Sequence, residues 1–210
     1  MTANQGTNVS RRTALRVGVS LAVAATVAPL PTGIAEAQQQ PGPAGPDRLA
    51  QVRTGAVSTN GWPIEKNADI GGAVWTREID GTGLSVALSI GEVQTVLGHV
   101  VRRYCYEIDV VQPGEVVGHI PVEQLPPSTS DNHASGTAVD IRPGWYPAGT
   151  RGNFFPSQLN SVHTILAECH GVVAWGGYRT VADEGHFEIA VPPRDPRLVD
   201  LAAELREWKY

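Results

Sequence analysis

The chain has 210 residues, 41% of them hydrophobic and 18% charged, which suffices for one domain with its own core and is too apolar for a mostly disordered chain. A formal net charge of −5 argues against a protein that holds nucleic acid by neutralising phosphates, and the lack of any apolar run of about 18 residues excludes a polytopic membrane protein. Two cysteines cannot make a disulfide framework or a cysteine-rich zinc module.

The N-terminus reads Ser10-Arg11-Arg12-Thr13-Ala14-Leu15, followed by a weakly apolar stretch from Val17 to Leu30. Pro29, Pro31 and Gly33 break that stretch, and Ala35-Glu36-Ala37 offers a small-x-small cleavage site. Paired arginines before an alanine-rich segment resemble a twin-arginine export signal over residues 1–37. That resemblance implies passage through the twin-arginine export machinery. It places the mature chain in the periplasm, at the cell wall or outside the cell, and not in the membrane after cleavage. Residues 38–58 begin QQQPGPAGP and are expected to be a flexible spacer, which leaves 59–210 as the domain.

Within that domain the apolar pattern alternates around Asp80-Gly81-Thr82-Gly83, which predicts a hairpin of Ala73–Ile79 and Leu84–Leu88. Val93, Val96, Leu97, Val100, Val101 and Tyr104 keep a helical period and predict a helix over Ser89–Tyr106, with Ser89 and Glu92 in a capping-box spacing. A second helix is expected over Ser157–His170, closed by Gly171, and a third over Pro196–Tyr210. Short strands are expected at Val172–Trp175 and Phe187–Val191. Helices and strands without βα alternation indicate an α+β fold.

The chemistry-bearing residues fall in two clusters. In Ser130-Asp131-Asn132-His133-Ala134-Ser135-Gly136-Thr137-Ala138-Val139-Asp140-Ile141, a polar turn runs into a strand on which Asp140 faces away from Val139 and Ile141. In Trp175-Gly176-Gly177-Tyr178 and Asp183-Glu184-Gly185-His186-Phe187-Glu188-Ile189, a loop delivers an acid just before a histidine that opens another strand, with His186 and Glu188 on one face. An acid among apolar neighbours is costly unless it is paired or binds a metal. His133, Asp140 and His186 have the donor types of a catalytic zinc site, which uses three protein ligands and keeps a fourth position open. A satisfied core histidine and a turn aspartate would account for the same residues.

His133-x-x-Gly136-x-Ala138-x-Asp140, then Trp175-Gly176-Gly177, then Asp183-x-x-His186-Phe187-Glu188 resembles the VanY-like zinc D-alanyl-D-alanine carboxypeptidases, including the L-alanyl-D-glutamate endopeptidases with an Asp-x-x-His-Phe-Glu ending. The resemblance implies a small antiparallel sheet that carries the zinc ligands between flanking helices, as in the D-Ala-D-Ala carboxypeptidase and hedgehog-like folds. It implies one Zn2+ per chain on His133, Asp140 and His186, with Asp183 as general base and Glu184 as the fallback. The substrate would be a peptidoglycan stem peptide containing D-amino acids, cut by a monomer acting as carboxypeptidase or endopeptidase. A non-catalytic, zinc-containing cell-wall-binding domain of the same fold is the alternative, and the acid at Asp183 favours catalysis.

Three features depart from the family pattern. Asp131 stands where relatives carry a serine, with Ser130 one step earlier; either could support the ligands from behind, as could Trp175 and Glu188. The upstream Gly-x-Arg segment is missing, which leaves Arg103, Arg142 and Arg179 as candidate cations and His119 or His170 as other donors. Tyr178 follows the two glycines directly, where relatives often carry an acid and then tryptophan. Trp145, Tyr146, Phe154 and Phe155, in the loop 143–156, would either line a groove or pack over the core. Cys105 and Cys169 are an even pair in an exported chain, and whether they join stays open.

Overall fold

The computed structural model describes residues 48–126 and 131–208; the expected export signal over 1–37, most of the expected spacer and Ser130 lie outside them. Helix α1 (Arg48–Val52) leads into β1 (Arg53–Val57), which pairs antiparallel with β2 (Pro63–Glu65). The expectation of a spacer through residue 58 is corrected at this point, because α1 and β1 occupy its C-terminal part. Val52 is buried there, and its carbonyl accepts from Lys66 N at 2.9 Å.

The expected hairpin forms from β3 (Val74–Ile79) and β4 (Leu84–Ser89), paired from Val74↔Ser89 to Ile79↔Leu84. Thr82 closes its turn, with N and Oγ1 both donating to the Ile79 carbonyl. Helix α2 (Glu92–Glu107) follows, but it starts from Gly91 without a side-chain cap, so the expected Ser89–Glu92 capping box does not form. Ser89 is instead the last residue of β4, and its N–H donates to the Gly136 carbonyl at 2.9 Å. The predicted face of α2 is inside: Val93, Val96, Leu97, Val100, Val101 and Tyr104 are fully buried, each worth about 1.5–3 kcal/mol for an aliphatic or aromatic of this size.

A four-stranded antiparallel sheet carries the site, in the order β5 (Val116–Val117), β6 (Ala138–Ile141), β8 (His186–Ile189), β7 (Val173–Trp175). Its pairings bring Asp140 opposite His186 and Ala174 opposite Glu188. One face is apolar: Val139, Ile141, Phe187 and Ile189 are fully buried, and Phe187 meets Tyr104 of α2 edge to face at 6.5 Å. Helix α3 (Pro156–Glu168) buries Val162 and Ile165, and α4 (Pro196–Glu207) buries Leu198, Leu201, Ala202 and Leu205 against the same core. The architecture is the expected α+β, with a small antiparallel sheet flanked by helices. Cys105 and Cys169 are both free thiols, and burial raises the pKa of each, Cys169 to about 12.

Candidate metal centre

His133 sits on a single 3-10 turn, Asn132–Ser135, directly before β6. Asp131 caps the turn by accepting from His133 N at 2.8 Å. Gly136 ends it in the left-handed region, at φ 65°, and a Cβ there would lie 2.9 Å from Ser89 N, so only glycine lets the hairpin close over the turn. The imidazole is then fixed from behind: Nδ1 donates to the Gly118 carbonyl at 2.6 Å. A carbonyl can only accept, so the proton is on Nδ1 and the lone pair is on Nε2. Nε2 is buried, makes no hydrogen bond, and lies 3.2 Å from Asp140 Oδ1.

Period-two alternation puts Asp140, His186 and Glu188 on the sheet face opposite the core. Asp140 Oδ1 accepts from His186 Nδ1 at 2.7 Å, and the rings of His133 and His186 are 5.2 Å apart. Ligand atoms of His133, Asp140 and His186 all lie within 4.8 Å of one another, the only such group of three among the described residues. On the far side of His186, Nε2 is 3.2 Å from Glu188 Oε2. Asn132 Nδ2 donates to the same oxygen at 2.6 Å, and Arg179 Nη2 donates to Glu188 Oε1 at 2.7 Å.

Charge follows this geometry. Burial works against the His186 imidazolium, but hydrogen bonds to Asp140 and Glu188 outweigh it and hold the pKa up at about 9. Burial likewise opposes ionisation of Asp140 and Glu188. The hydrogen bond from His186 nevertheless keeps Asp140 well below the usual carboxylate range, and those from His186, Arg179 and Asn132 bring Glu188 down to about 2. Two half-buried carboxylates therefore flank the His186 ring, where, without a cation, a proton supplies the positive charge. A lone pair on an otherwise unpartnered, buried His133 Nε2 is the donor that a proton on His186 leaves unused. These residues fit a divalent cation with borderline-soft preferences such as zinc.

Asp183 reaches the same place from the loop before β8. Its N–H donates to the Gly176 carbonyl at 3.1 Å, and its own carbonyl accepts from His186 N at 3.2 Å. Burial first, and then the negative charge of Asp140, raise its pKa. Glu184, the fallback base, is 4% exposed and fully engaged: it accepts from Gly152 N, Asn153 N and Asn153 Nδ2, each at 2.8 Å. It fastens the loop 143–156 to the site and does not face it. Trp175 lies on the core side of β7 and donates from its indole N–H to the Glu184 carbonyl at 2.9 Å, so it supports the loop from beneath.

Of the three candidate arginines, Arg103 pairs with Glu107 and Glu168, and Arg142 with Asp109 and Glu115. Only Arg179 is at the site, with Nη2 3.0 Å from His186 Nε2. His119 turns its Nε2 to the Glu65 carbonyl at 3.1 Å, and His170, two residues past the end of α3, lies in the left-handed region, at φ 49°. The loop aromatics divide: Tyr146 and Phe154 stack at 4.5 Å in the core, and Trp145 and Phe155 are exposed. Gly118 and Asn132 were not anticipated. A backbone carbonyl carries no side-chain signature, and the Asn132 contact to Glu188 joins residues 56 apart in sequence.

Residues 127–189 match the family model described as D-alanyl-D-alanine carboxypeptidase. That segment contains His133, Asp140, Asp183, His186 and Glu188. No curated protein and no solved structure matches the chain.

Proposed function

We propose that this domain is a zinc-dependent peptidase that hydrolyses D-amino-acid-containing peptide bonds in peptidoglycan stem peptides. The observation that carries the reading is the buried, unpartnered His133 Nε2, gathered with Asp140 and His186 inside the segment that matches the carboxypeptidase family.

His133 through Nε2, Asp140 through a carboxylate oxygen and His186 through Nδ1 would hold one zinc. When bound, zinc supplies Lewis acidity that polarises a carbonyl and acidifies a water. Asp183 takes the proton from the attacking water and passes it to the leaving amine; its raised pKa suits a group that must both accept and release a proton. Glu188 orients His186 by accepting from Nε2–H, so that Nδ1, once it gives up the proton it shares with Asp140, would turn its lone pair to the cation. Gly118 does the same for His133.

The reading includes export of the chain. It is supported by Arg11-Arg12 ahead of Ala35-Glu36-Ala37, and by the location of peptidoglycan outside the membrane. No helix among the described residues is long and apolar enough to cross a membrane. Incubation of the zinc-loaded protein with purified muropeptides, followed by mass spectrometry, tests the activity. Loss of one terminal alanine marks a carboxypeptidase and a split stem marks an endopeptidase; unchanged muropeptides would overturn the reading.

A further inference from the structure

We infer that Asn60 and Asn132 are a positioning pair for the metal centre: the Asn60 N–H sets which end of the Asn132 amide faces Glu188, and Glu188 in turn holds the ring of His186. The inference rests on the metal-dependent reading above. Asn60 lies between β1 and β2, outside the matched segment 127–189.

Donors and acceptors alternate along the whole path. An amide side chain has an acceptor at one end and donors at the other. A backbone N–H can only donate, so the contact from Asn60 N at 3.1 Å fixes Asn132 Oδ1 on that side. Nδ2 is thereby turned to Glu188 Oε2, at 2.6 Å. An ionised carboxylate can only accept, and the reversed amide would set oxygen against oxygen. The same Oε2 faces His186 Nε2 at 3.2 Å. Arg179 holds the other oxygen, Oε1, at 2.7 Å from a side chain that is 43% exposed. Asn132 is 5% exposed, so it is the buried one of the two anchors that fix the carboxylate.

Asn60 is itself bolted across both ligand strands. Its Nδ2 donates to the Ile189 carbonyl, at the end of β8, and to Thr137 Oγ1, just ahead of β6, each at 2.8 Å. Its Oδ1 accepts from Ser58 Oγ at 2.6 Å. The Ile189 carbonyl only accepts, so this amide too has one orientation. Ser58, Asn132 and Thr137 are buried, where a group that lost its partner would find no water to replace it. His133 supplies the contrast. Its Nδ1 is held by the Gly118 carbonyl, and the neighbouring His119 reaches the Glu65 carbonyl of β2, a route that does not pass through Asn60.

Zinc affinity of the full chain, measured by competition with a chelator, and the ring N–H resonances of the zinc-loaded, histidine-15N-labelled chain test the pair. Asn60→Ala should weaken zinc binding about tenfold, the lower end for a partner behind a metal ligand. It should speed solvent exchange of the His186 Nε2–H and leave the His133 Nδ1–H as it was. Trp62→Phe is the control on the same turn: it loses the 2.9 Å bond to the Val191 carbonyl and should lower the melting temperature alone. Asn132→Asp keeps the acceptor for Asn60 N–H but turns an oxygen to Glu188, and should weaken zinc binding about tenfold to a hundredfold. Asn60→Ala that binds zinc as Trp62→Phe does, or that moves both ring N–H signals alike, overturns the pair and leaves the metal reading standing. Should Asn60→Ala not fold, Asn132→Asp decides, and unchanged zinc affinity there overturns the pair. An unmodified chain that takes up no zinc overturns the metal reading and the pair with it.

Discussion

Asp140 Oδ1 and His186 Nδ1 stand 2.7 Å apart on directly paired positions of neighbouring strands. The contact is a closed ion pair without a cation and two open ligands with one, so zinc and a proton compete for His186. Its pKa of about 9 sets the terms. Zinc binding should release one proton per chain below about pH 9, and affinity should rise about tenfold per pH unit up to that point. Calorimetric titration in buffers of different protonation enthalpy measures this, and zinc uptake with no proton released would contradict it.

The same pair fixes the pH response of the metal-free protein. His186 has a folded pKa above its ordinary 6.5, so its contribution to stability is complete below 6.5 and lost as pH rises through about 9. Asp140 is shifted the other way; its contribution is present above the ordinary carboxylate pKa and lost as pH falls through its lowered value. Chelator-treated protein should therefore melt at its highest temperature near pH 5–6. Added zinc should flatten the alkaline decline, because the cation replaces the proton that high pH removes.

Asp183→Asn separates base from ligand. Asp183 is outside the three-residue ligand group, so the variant should keep one zinc per chain by elemental analysis and lose turnover by about 10²–10⁴. In the unmodified chain, Asp183 must be ionised to act, and its pKa, raised by burial and by the charge of Asp140, should move the acid limb of kcat/KM above the ordinary carboxylate range. Glu184→Ala should do the reverse: it frees three donors in the loop 143–156 and should cost about 1–3 kcal/mol of stability while leaving zinc in place. Turnover retained by Asp183→Asn at the unmodified level would remove the general base from the proposal.

Much of this was legible in the sequence, for definite reasons. Period 3.6 at Val93–Tyr104 and period 2 across Asp140 and across His186-Phe187-Glu188 report burial directly, so α2, β6 and β8 and the shared face of the ligands could be read. β5 has two residues, too short for any period, yet it is the strand that leads to the Gly118 carbonyl. The capping box failed because Gly91, at φ 92°, starts α2 by itself while Ser89 is drawn into β4 and onto Gly136. In the sequence, Asp183 ranks ahead of the adjacent acid Glu184 only by its spacing to His186; the loop 143–156, arriving from elsewhere, shows that Glu184 is occupied. Arg103, Arg142 and Arg179 were equally uninformative until their partners were known.

Gly176 offers the strictest test of how the site is assembled. A Cβ there would lie 2.3 Å from the Asp183 carbonyl oxygen, 2.9 Å from His186 Cβ and 3.1 Å from Asp183 Cβ. These neighbours are backbone and the stem of a ligand, not the end of a flexible chain, so they cannot move aside cheaply. The Gly176 carbonyl also holds Asp183 N and Arg179 N at 3.1 and 3.0 Å, so a shift would carry Asp183, His186 and Arg179 together. Gly176→Ala should cost about 1–3 kcal/mol in thermal unfolding and weaken zinc binding as well. Gly144→Ala is the control, since a Cβ at Gly144 meets nothing within 4 Å. If Gly176→Ala melts and binds zinc as Gly144→Ala does, the loop before His186 is not held by this close approach, and the ordering of Asp183 has another cause.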